Sequence, residues 1–273
     1  MTDASSKPSE WAFDGAQGSI HAQSWSGSAE PTHVVVLVHG YGEHIGRYNH
    51  VAAALIANGA VVYGMDHVGH GNSDGARAIV TDFDEVVADV DAVVDTAVEQ
   101  HPDMPVVMVG HSMGGLIASR YAQTHGARLA GLVLSGPAIG RSDLIEQLLA
   151  LDEIPDIPLD PEVLSRDEAV GAEYAADPLV WHGPFQRPML EAMSAANKQV
   201  TEAGSIGELP LLWVHGADDQ LVPIDGSAIG VATIKGASSK AIAYPGARHE
   251  IFNETNKDQV LADVTTWIGG VVS

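Results

Sequence analysis

The 273-residue chain contains no cysteine, so neither a disulfide framework nor a thiol nucleophile is available to it. Positive charge is scarce: 13 lysines and arginines stand against 36 aspartates and glutamates, which gives a formal net charge of −23. Nucleic acids and anionic bilayers are themselves negative, so a chain of this charge disfavours both as partners. Such an acidic surface suits a salty habitat or the cytosol.

Long apolar runs are also missing. Residues Met1–Pro8 are polar and lack the apolar core of a signal peptide. No run approaches the roughly 18 consecutive apolar residues that a membrane span needs. The sequence therefore predicts a cytoplasmic protein, or one that associates peripherally with membranes. Its length and its hydrophobic content of 45% suit one α/β domain with an inserted lid.

Residues 110–114 read Gly-His-Ser-Met-Gly, which is the pattern G-x-S-x-G. An apolar β-branched run, residues 106–109, precedes this motif, and residues 116–121 after it have the character of a helix. Strand, sharp turn and helix are the context of a nucleophile elbow, in which the serine hydroxyl stands exposed above a sheet. The alternative is a glycine-rich turn with an incidental serine, and the flanking elements argue against it. Ser112 is therefore the predicted nucleophile.

Strand-like and helix-like segments alternate along most of the chain. Residues 9–25 predict a hairpin at a sheet edge, and further strands are predicted at 33–38, 61–65, 106–109, 129–134, 209–214 and 241–244. Helices are predicted at residues 47–58 and 84–100, and a last helix carries Val260, Leu261, Val264, Trp267 and Ile268 on one face. This alternation predicts an α/β fold with a mostly parallel, eight-stranded sheet and helices on both faces.

The alternation breaks between residues 139 and 207. We therefore divide the chain into a first core part (1–138), an inserted cap (139–207) and a second core part (208–273). Residues 189–200 predict a helix within the insertion. An insertion of this size is expected to lie over the site as a cap, and helices packed on the sheet are the alternative.

An apolar strip runs through the first half of this cap. We expect it to offer a lipid-facing entrance at the pocket mouth, with transient contact to a lipid surface. The alternative is that the strip packs inward on the core. Its residues are Leu144, Ile145, Leu148, Leu149, Leu151, Ile154 and Ile157.

A serine hydroxyl is a weak nucleophile at neutral pH, so it needs a neighbouring base, and the base needs an orienting acid. In folds of this kind the chain order is Ser, then Asp or Glu, then His, at the carboxyl ends of the strands. His249 follows the last predicted strand and satisfies that order, so it is the predicted base. His215 also ends a strand, but it precedes the acidic pair. The residues alone leave either Asp218 or Asp219 open as the acid.

Several further motifs accompany this predicted triad. They are HGYGEH at residues 39–44 with Arg47 and Tyr48, DHVGHGNS at 66–73, the elbow itself, and Asp177-Pro178-Leu179 with Tyr174. In combination they resemble the monoacylglycerol lipase family of serine hydrolases, which also includes lysophospholipases. The resemblance covers most of the chain and implies the α/β-hydrolase fold.

The resemblance also implies roles for individual residues. The acid is Asp219, which lies three residues past the glycine of the His-Gly pair, and the oxyanion donors are the backbone N–H groups of Tyr41 and Met113. The implied reaction converts a monoacylglycerol, or a similar small lipid ester, to fatty acid and glycerol through an acyl-enzyme on Ser112. It requires no metal and no organic cofactor.

Four further residues are expected to contact substrate. By the resemblance, Glu43 and Arg47 belong to a polar cluster near the glycerol end of the site, and Tyr174 lines the cap side of the pocket. His111, beside the nucleophile, is a further predicted contact. Tyr41 departs from the family, in which this position is often smaller or aliphatic, so its ring is expected to narrow the acyl entrance.

Other interpretations of the sequence remain open. A carboxylesterase or lysophospholipase would use the same triad, and a non-catalytic receptor of the same fold would bind ligand without turnover. A haloperoxidase-like enzyme or a C–C bond hydrolase finds no support in the Glu43 and Arg47 pattern. The H-x-x-H pair of His67 and His70 has no evident carboxylate partner, so it predicts structural hydrogen bonds rather than a metal site.

Overall fold

The structure is a computed structural model that describes residues 7–273; residues 1–6 of the polar N-terminal stretch lie outside the described part. One eight-stranded sheet organises the fold, in the order β1-β2-β4-β3-β5-β6-β7-β8. Its strands are β1 (Ser9–Gly15), β2 (Gly18–Trp25), β3 (His33–Val38), β4 (Ala60–Met65), β5 (Val106–His111), β6 (Gly131–Ser135), β7 (Leu211–Gly216) and β8 (Ser239–Tyr244).

The sheet is parallel from β4 across to β8, and only β1 and β2 run against their neighbours. The predicted edge hairpin and the mostly parallel, eight-stranded sheet are thus confirmed. Some strand boundaries differ from the prediction by about two residues. The strand predicted at 209–214 begins instead at Leu211, because Pro210 lacks the N–H that a strand interior must donate.

Helices cover both faces of the sheet, as predicted. They are α1 (Asn49–Ala57), α2 (Phe83–Gln100), α3 (Met113–His125), α4 (Asp143–Leu149), α5 (Glu168–Ala176), α6 (Arg187–Ala203), α7 (Ile224–Ile234) and α8 (Lys257–Val271). Successive side chains of a strand point to opposite faces, so Val34 and Val36 pack under α2 and α3, whereas Val35 and Leu37 pack under α1 and α8.

Two helices, α5 and α7, were not predicted. The α7 sequence contains Gly226 and Gly230, and glycines inside a helix weaken the pattern that predicts it. Both glycines serve a close contact: a Cβ on Gly226 would lie 2.2 Å from the carbonyl oxygen of Arg141, and one on Gly230 would lie 2.6 Å from the N atom of Gly140. The chain therefore packs directly on α7 where the inserted segment begins.

The inserted segment, residues 139–207, contains α4, α5 and α6. Helix α6 buries one face, formed by Met189, Leu190, Met193, Ala196 and Val200, and packs on α3. Helix α6 also contacts α2 and α7, so the end of the segment packs on helices of the core. The boundaries at 139 and 207 stay a prediction. None of the helices within residues 7–273 combines the length and the apolar composition needed to cross a membrane.

Candidate active site

The predicted nucleophile stands at a sharp turn between β5 and α3. Ser112 has φ 55° and ψ −117°, a left-handed conformation that few residues other than glycine adopt. The turn is crowded, since a Cβ on Gly114 would lie 2.0 Å from the carbonyl oxygen of Val38 and one on Gly110 would lie 2.4 Å from that of Gly114. The two glycines of the motif are therefore required by space. This is the geometry of the predicted elbow.

Ser112, His249 and Asp219 form a continuous hydrogen-bonded chain at the carboxyl edge of the sheet. Oγ of Ser112 lies 2.9 Å from Nε2 of His249, and Nδ1 of the same ring lies 2.7 Å from Oδ2 of Asp219. The three residues follow three parallel strands, β5, β8 and β7. All three are buried, so these hydrogen bonds form in a medium of low dielectric, where they are stronger than in water.

The charges around His249 favour transfer of the Ser112 proton to its ring. Burial alone lowers the pKa of His249, but the charge and the hydrogen bond of Asp219 outweigh burial and raise that pKa above its usual value. Burial alone would raise the pKa of Asp219. The neighbouring His249 and His215 outweigh burial and hold the pKa of the carboxyl well below its usual range. Asp219 is therefore ionised at neutral pH and stabilises a positive charge on His249.

Asp218 and Asp219, the two candidates for the acid, differ in their surroundings. Asp219 is buried beside His249, whereas the side chain of Asp218 is exposed to solvent. Oδ1 of Asp219 accepts the backbone N–H groups of Leu221 and Val222, each at 2.9 Å. One oxygen of this carboxylate is thus held by the backbone, and the other faces His249.

The loop after β3, residues 39–44, passes beside the nucleophile. A Cβ on Gly40 would lie 3.3 Å from Cβ of Ser112. The Gly40 N–H donates to Oε1 of Glu43 at 2.6 Å, which leaves the N–H of Tyr41 as the next backbone donor along the loop. Met113 is the first residue of α3, and N–H groups at that end of a helix have no partner within the helix. Both candidate oxyanion donors thus lie on backbone next to Ser112.

The histidines of the H-x-x-H pair make structural hydrogen bonds, as predicted. The His67 N–H donates to Nε2 of His39 at 3.0 Å, so His39 carries its proton on Nδ1 and donates it to the Gly40 carbonyl oxygen at 2.8 Å. Nδ1 of His70 lies 2.9 Å from the Val68 carbonyl oxygen. Burial lowers the pKa of His67 to about 3 and that of His70 to about 4, so both rings are neutral near pH 7.

A buried charged cluster adjoins the triad. Arg47 donates to Oε2 of Glu43 at 2.7 Å and, through two nitrogens, to both carboxylate oxygens of Glu250 at 2.7 Å each. Oε1 of Glu43 also accepts the hydroxyl of Tyr48 at 2.7 Å. The Tyr174 ring lies against the Arg47 guanidinium, 5.1 Å from ring centre to Cζ. The predicted polar cluster therefore forms, with Glu250 as a member that was not predicted.

The two carboxylates of this cluster share one guanidinium. Burial raises the pKa of Glu43 despite the charge of Arg47. Burial also opposes ionisation of Glu250, but the fork-like pairing with Arg47 holds its pKa at about 2. The ionised Glu250 directly follows His249 in the chain and adds to the field that favours a positive charge on that ring.

The loop at residues 39–44 contacts the inserted segment at two places. Nε2 of His44 lies 2.8 Å from Oδ2 of Asp177, and the Tyr41 ring stacks on Phe185 with 5.2 Å between ring centres. Asp177 belongs to the Asp-Pro-Leu motif that the sequence singled out. The segment therefore supports the loop that carries a candidate oxyanion donor.

A cavity of about 810 Å³, including its mouth, reaches Ser112 and His249. Polar groups line the end near the triad, among them Glu43, His111, Tyr174 and Glu250. The rest of the wall comes from the inserted segment, the Tyr41 ring, Ala138 and the loop before α7, and it includes the polar residues Arg141 and Ser142. Most of its residues are apolar: Ala138, Ile139, Leu144, Ile145, Leu159, Leu164, Phe185, Leu190, Met193, Leu221, Val222 and Pro223. A largely apolar cavity with polar groups beside the triad suits an amphiphilic ligand.

His111 lies in this wall with its ring tilted against His249, 4.8 Å between ring centres. Its Nδ1 lies 3.0 Å from the Ser135 carbonyl oxygen, and burial lowers the pKa of the ring to about 3.

All the predicted site residues except Arg47 and Met113 line the cavity or belong to the triad; Arg47 lies behind Glu43 and Glu250. Glu250 and Phe185 were missed, although the position of Glu250 directly after the predicted base was a usable signal.

The chain is similar to known proteins in sequence and in fold. Residues 29–256 match the model of a family described as serine aminopeptidase, S33 (Hydrolase_4). A monoacylglycerol lipase from Mycolicibacterium smegmatis is 39% identical over 274 residues, which cover 97% of this chain and 98% of the relative. The predicted relationship to monoacylglycerol lipases is confirmed.

Solved structures agree with the comparison of sequences. The monoacylglycerol lipase of Paleococcus ferrophilus is 26% identical, with a TM-score of 0.80 over 92% of this chain and 99% of that one. A thermostable carboxyl esterase from Bacillus coagulans, solved in complex with glycerol, is also 26% identical, with a TM-score of 0.84 over 98% and 100%. The predicted α/β-hydrolase fold is confirmed. The chain belongs to the serine aminopeptidase S33 family of hydrolases.

Proposed function

We propose that this protein hydrolyses monoacylglycerols to a fatty acid and glycerol, with Ser112, His249 and Asp219 as its catalytic triad. The observation that carries the proposal is the cavity at Ser112, which is apolar along most of its wall and has charged groups beside the triad. A single acyl chain fits the apolar part, and glycerol hydroxyls are suited to the polar groups. The monoacylglycerol lipase relatives favour the same substrate class.

In the first half of the reaction, Oγ of Ser112 attacks the ester carbonyl carbon while Nε2 of His249 takes the hydroxyl proton. The carbonyl oxygen becomes an oxyanion, which the backbone N–H groups of Tyr41 and Met113 are positioned to stabilise. Removal of one such donor typically costs about 10²- to 10³-fold in rate. The bond to glycerol then breaks, and glycerol leaves with the proton from His249.

In the second half, water replaces glycerol beside His249. His249 takes a proton from this water, the hydroxide attacks the acyl carbon, and the fatty acid departs as Ser112 regains its proton. Asp219 keeps its charge throughout and orients the ring. Glu43, Arg47 and His111 contribute the polar end of the cavity, where we place the glycerol moiety, and Tyr174 closes it on the side of the inserted segment.

Hydrolysis rates across monoacyl-, diacyl- and triacylglycerols of several chain lengths test this proposal. The monoacylglycerols are expected to give the highest kcat/KM, because one cavity accepts one chain and the polar cluster accepts free hydroxyls. A preference for triacylglycerols would contradict the proposal, and so would equal rates on esters that lack glycerol.

A carboxylesterase acting on other small esters is the second candidate. It is favoured by the similarity to the Bacillus coagulans carboxyl esterase, at 26% identity. The triad and the oxyanion donors would serve both activities alike. Replacing the glycerol of the substrate with methanol separates the two: a monoacylglycerol lipase loses kcat/KM on the methyl ester, whereas a general carboxylesterase does not.

Contact with a lipid surface is proposed for the inserted segment. Of the apolar strip, Leu144 and Ile145 line the cavity, whereas Leu151 and Ile157 are 44% and 68% exposed. Each apolar side chain that enters lipid contributes about 1.5–3 kcal/mol. Acidic residues are interleaved at 152, 153, 156 and 160, so a neutral lipid surface suits the segment better than an anionic one. The cytoplasmic location stays a prediction.

Ile157→Asp is expected to lower kcat/KM on dispersed long-chain monoacylglycerol by about 10-fold or more, because it removes an apolar contact with lipid. Turnover of a soluble short-chain ester is expected to remain unchanged. The matched control is Val98→Asp, which places the same charge on a partly exposed site in the last turn of α2, at the opposite end of the sheet. Equal loss on both substrates, or none on either, would contradict the lipid contact.

A further inference from the structure

The hydrogen-bonded chain of the triad extends beyond Asp219, because a second imidazole lies against the same carboxylate. His215, near the end of β7, is fully buried. Its Nε2 lies 2.8 Å from the Val222 carbonyl oxygen and 3.2 Å from Oδ2 of Asp219. The same Oδ2 lies 2.7 Å from Nδ1 of His249. One carboxylate oxygen therefore faces two histidines.

Trp213 fixes which nitrogen of His215 carries the proton. The two side chains lie two residues apart on β7 and so share one face of the sheet. The indole Nε1 lies 3.0 Å from Nδ1 of His215. An indole N–H can only donate, so Nδ1 accepts and the proton of the imidazole sits on Nε2. That N–H is shared between the Val222 carbonyl oxygen and the Asp219 carboxylate.

The same contact decides which histidine becomes positively charged. A second proton on His215 would occupy Nδ1, where it would point at the Trp213 N–H and abolish that hydrogen bond. His249 meets no such obstacle, because its Nε2 faces the Ser112 hydroxyl, which can donate or accept. The positive charge that forms during the reaction is therefore directed to His249.

Few titratable groups face the His215 ring. The loop after β7 contributes Asp219, and the loop after β8 contributes His249. Strand β8 pairs uncharged Ala243 with His215, and β6 ends at uncharged Ser135. Asp225, at the start of α7, is exposed to solvent. Asp219 is thus the anion for which the two rings would compete.

We propose that Trp213 and His215 are positioning residues of the active site. They hold the Asp219 carboxylate and the turn at Val222 in place, and they restrict the catalytic positive charge to His249. The kinetic test rests on the proposed ester hydrolysis, and the spectroscopic test does not.

Turnover of p-nitrophenyl butyrate, a soluble ester, tests the role of His215. His215→Leu removes a hydrogen-bond donor from a buried carboxylate, so kcat/KM is expected to fall by about 10- to 100-fold. His215→Gln keeps an amide N–H near the position of Nε2 and is expected to restore most of this loss. Equal losses in the two variants would overturn the proposal, because packing alone would then explain them.

The pH dependence of kcat/KM tests the role of Trp213. In the wild type one group, His249, must lose a proton, so log kcat/KM rises on the acid side with a slope of about one. In Trp213→Phe the Nδ1 of His215 is free to take a proton, so a single proton on either ring is enough to disable the pair. The slope is then expected to stay near one, and the midpoint of the rise is expected to move to higher pH. Trp267→Phe removes an indole from α8 and serves as the control. A midpoint in Trp213→Phe that stays at the wild-type pH would overturn the proposal.

Nitrogen NMR of protein labelled at its histidines gives a readout without turnover. The signals lost in His215→Gln identify His215, which is expected to be in the Nε2–H tautomer in the wild type and to bind a second proton more readily in Trp213→Phe. If the wild type hydrolyses no ester, the proposed function fails while this measurement still decides the present inference. An Nδ1–H tautomer in the wild type would overturn it.

Discussion

Replacing Ser112 with alanine is expected to abolish ester hydrolysis, with a loss of about 10⁶-fold in kcat. The substitution removes the only atom that forms the acyl-enzyme, Oγ, which lies 2.9 Å from Nε2 of His249. His249→Ala removes the base and is expected to cause a loss of similar size. Since both residues act in one proton transfer, the double variant is expected to lose no more than either single variant.

Two measurements check this expectation. Unfolding midpoints of both variants should match that of the wild type, which shows that the fold is intact. A fluorophosphonate probe should label the wild type but not Ser112→Ala. Appreciable turnover by folded Ser112→Ala would contradict the triad, and failure of the probe to label the wild type would favour a non-catalytic receptor of the same fold.

Asp219→Asn is expected to lower kcat by about 10⁴-fold. The backbone N–H groups of Leu221 and Val222 both donate to Oδ1, so the asparagine carbonyl oxygen takes that place and its amide group takes the place of Oδ2. An amide N–H then faces Nδ1 of His249, which moves the proton of the ring to Nε2. A ring protonated on Nε2 cannot accept the Ser112 proton.

Asp218→Asn is the matched control, because it makes the same change one residue away on an exposed side chain. We expect it to alter kcat/KM by no more than about threefold, as is usual for a surface position without buried partners. Comparing the two variants on one soluble ester decides the assignment. If Asp218→Asn were the more damaging change, the acid would have been chosen wrongly.

Local sequence patterns were sufficient for most of the sheet and for the elbow. The run of β-branched residues in β3 predicts a strand buried on both faces, and glycines that flank Ser112 predict a tight turn. Helix α7 escaped prediction because Gly226 and Gly230 serve contact with residues 140 and 141, which no local pattern reveals.

The site was harder to predict where its contacts join distant parts of the chain. Arg47 and Glu250 are 203 residues apart, and no pattern in the sequence around either residue predicts that they pair. Chain order excluded His215 as the base. It does not predict which side chains contact Asp219. Order along the chain, with the family resemblance, selected three residues that are joined by hydrogen bonds, whereas the groups around them depend on three-dimensional packing.

The triad depends on β7 and β8, the last two strands in chain order, which lie side by side at one end of the sheet. Ser112 and its elbow are synthesised before Asp219, which follows β7, and before His249, which follows β8. A nascent chain thus carries its nucleophile before it has the base that activates it. A chain that stops before β8 is therefore expected to be inactive.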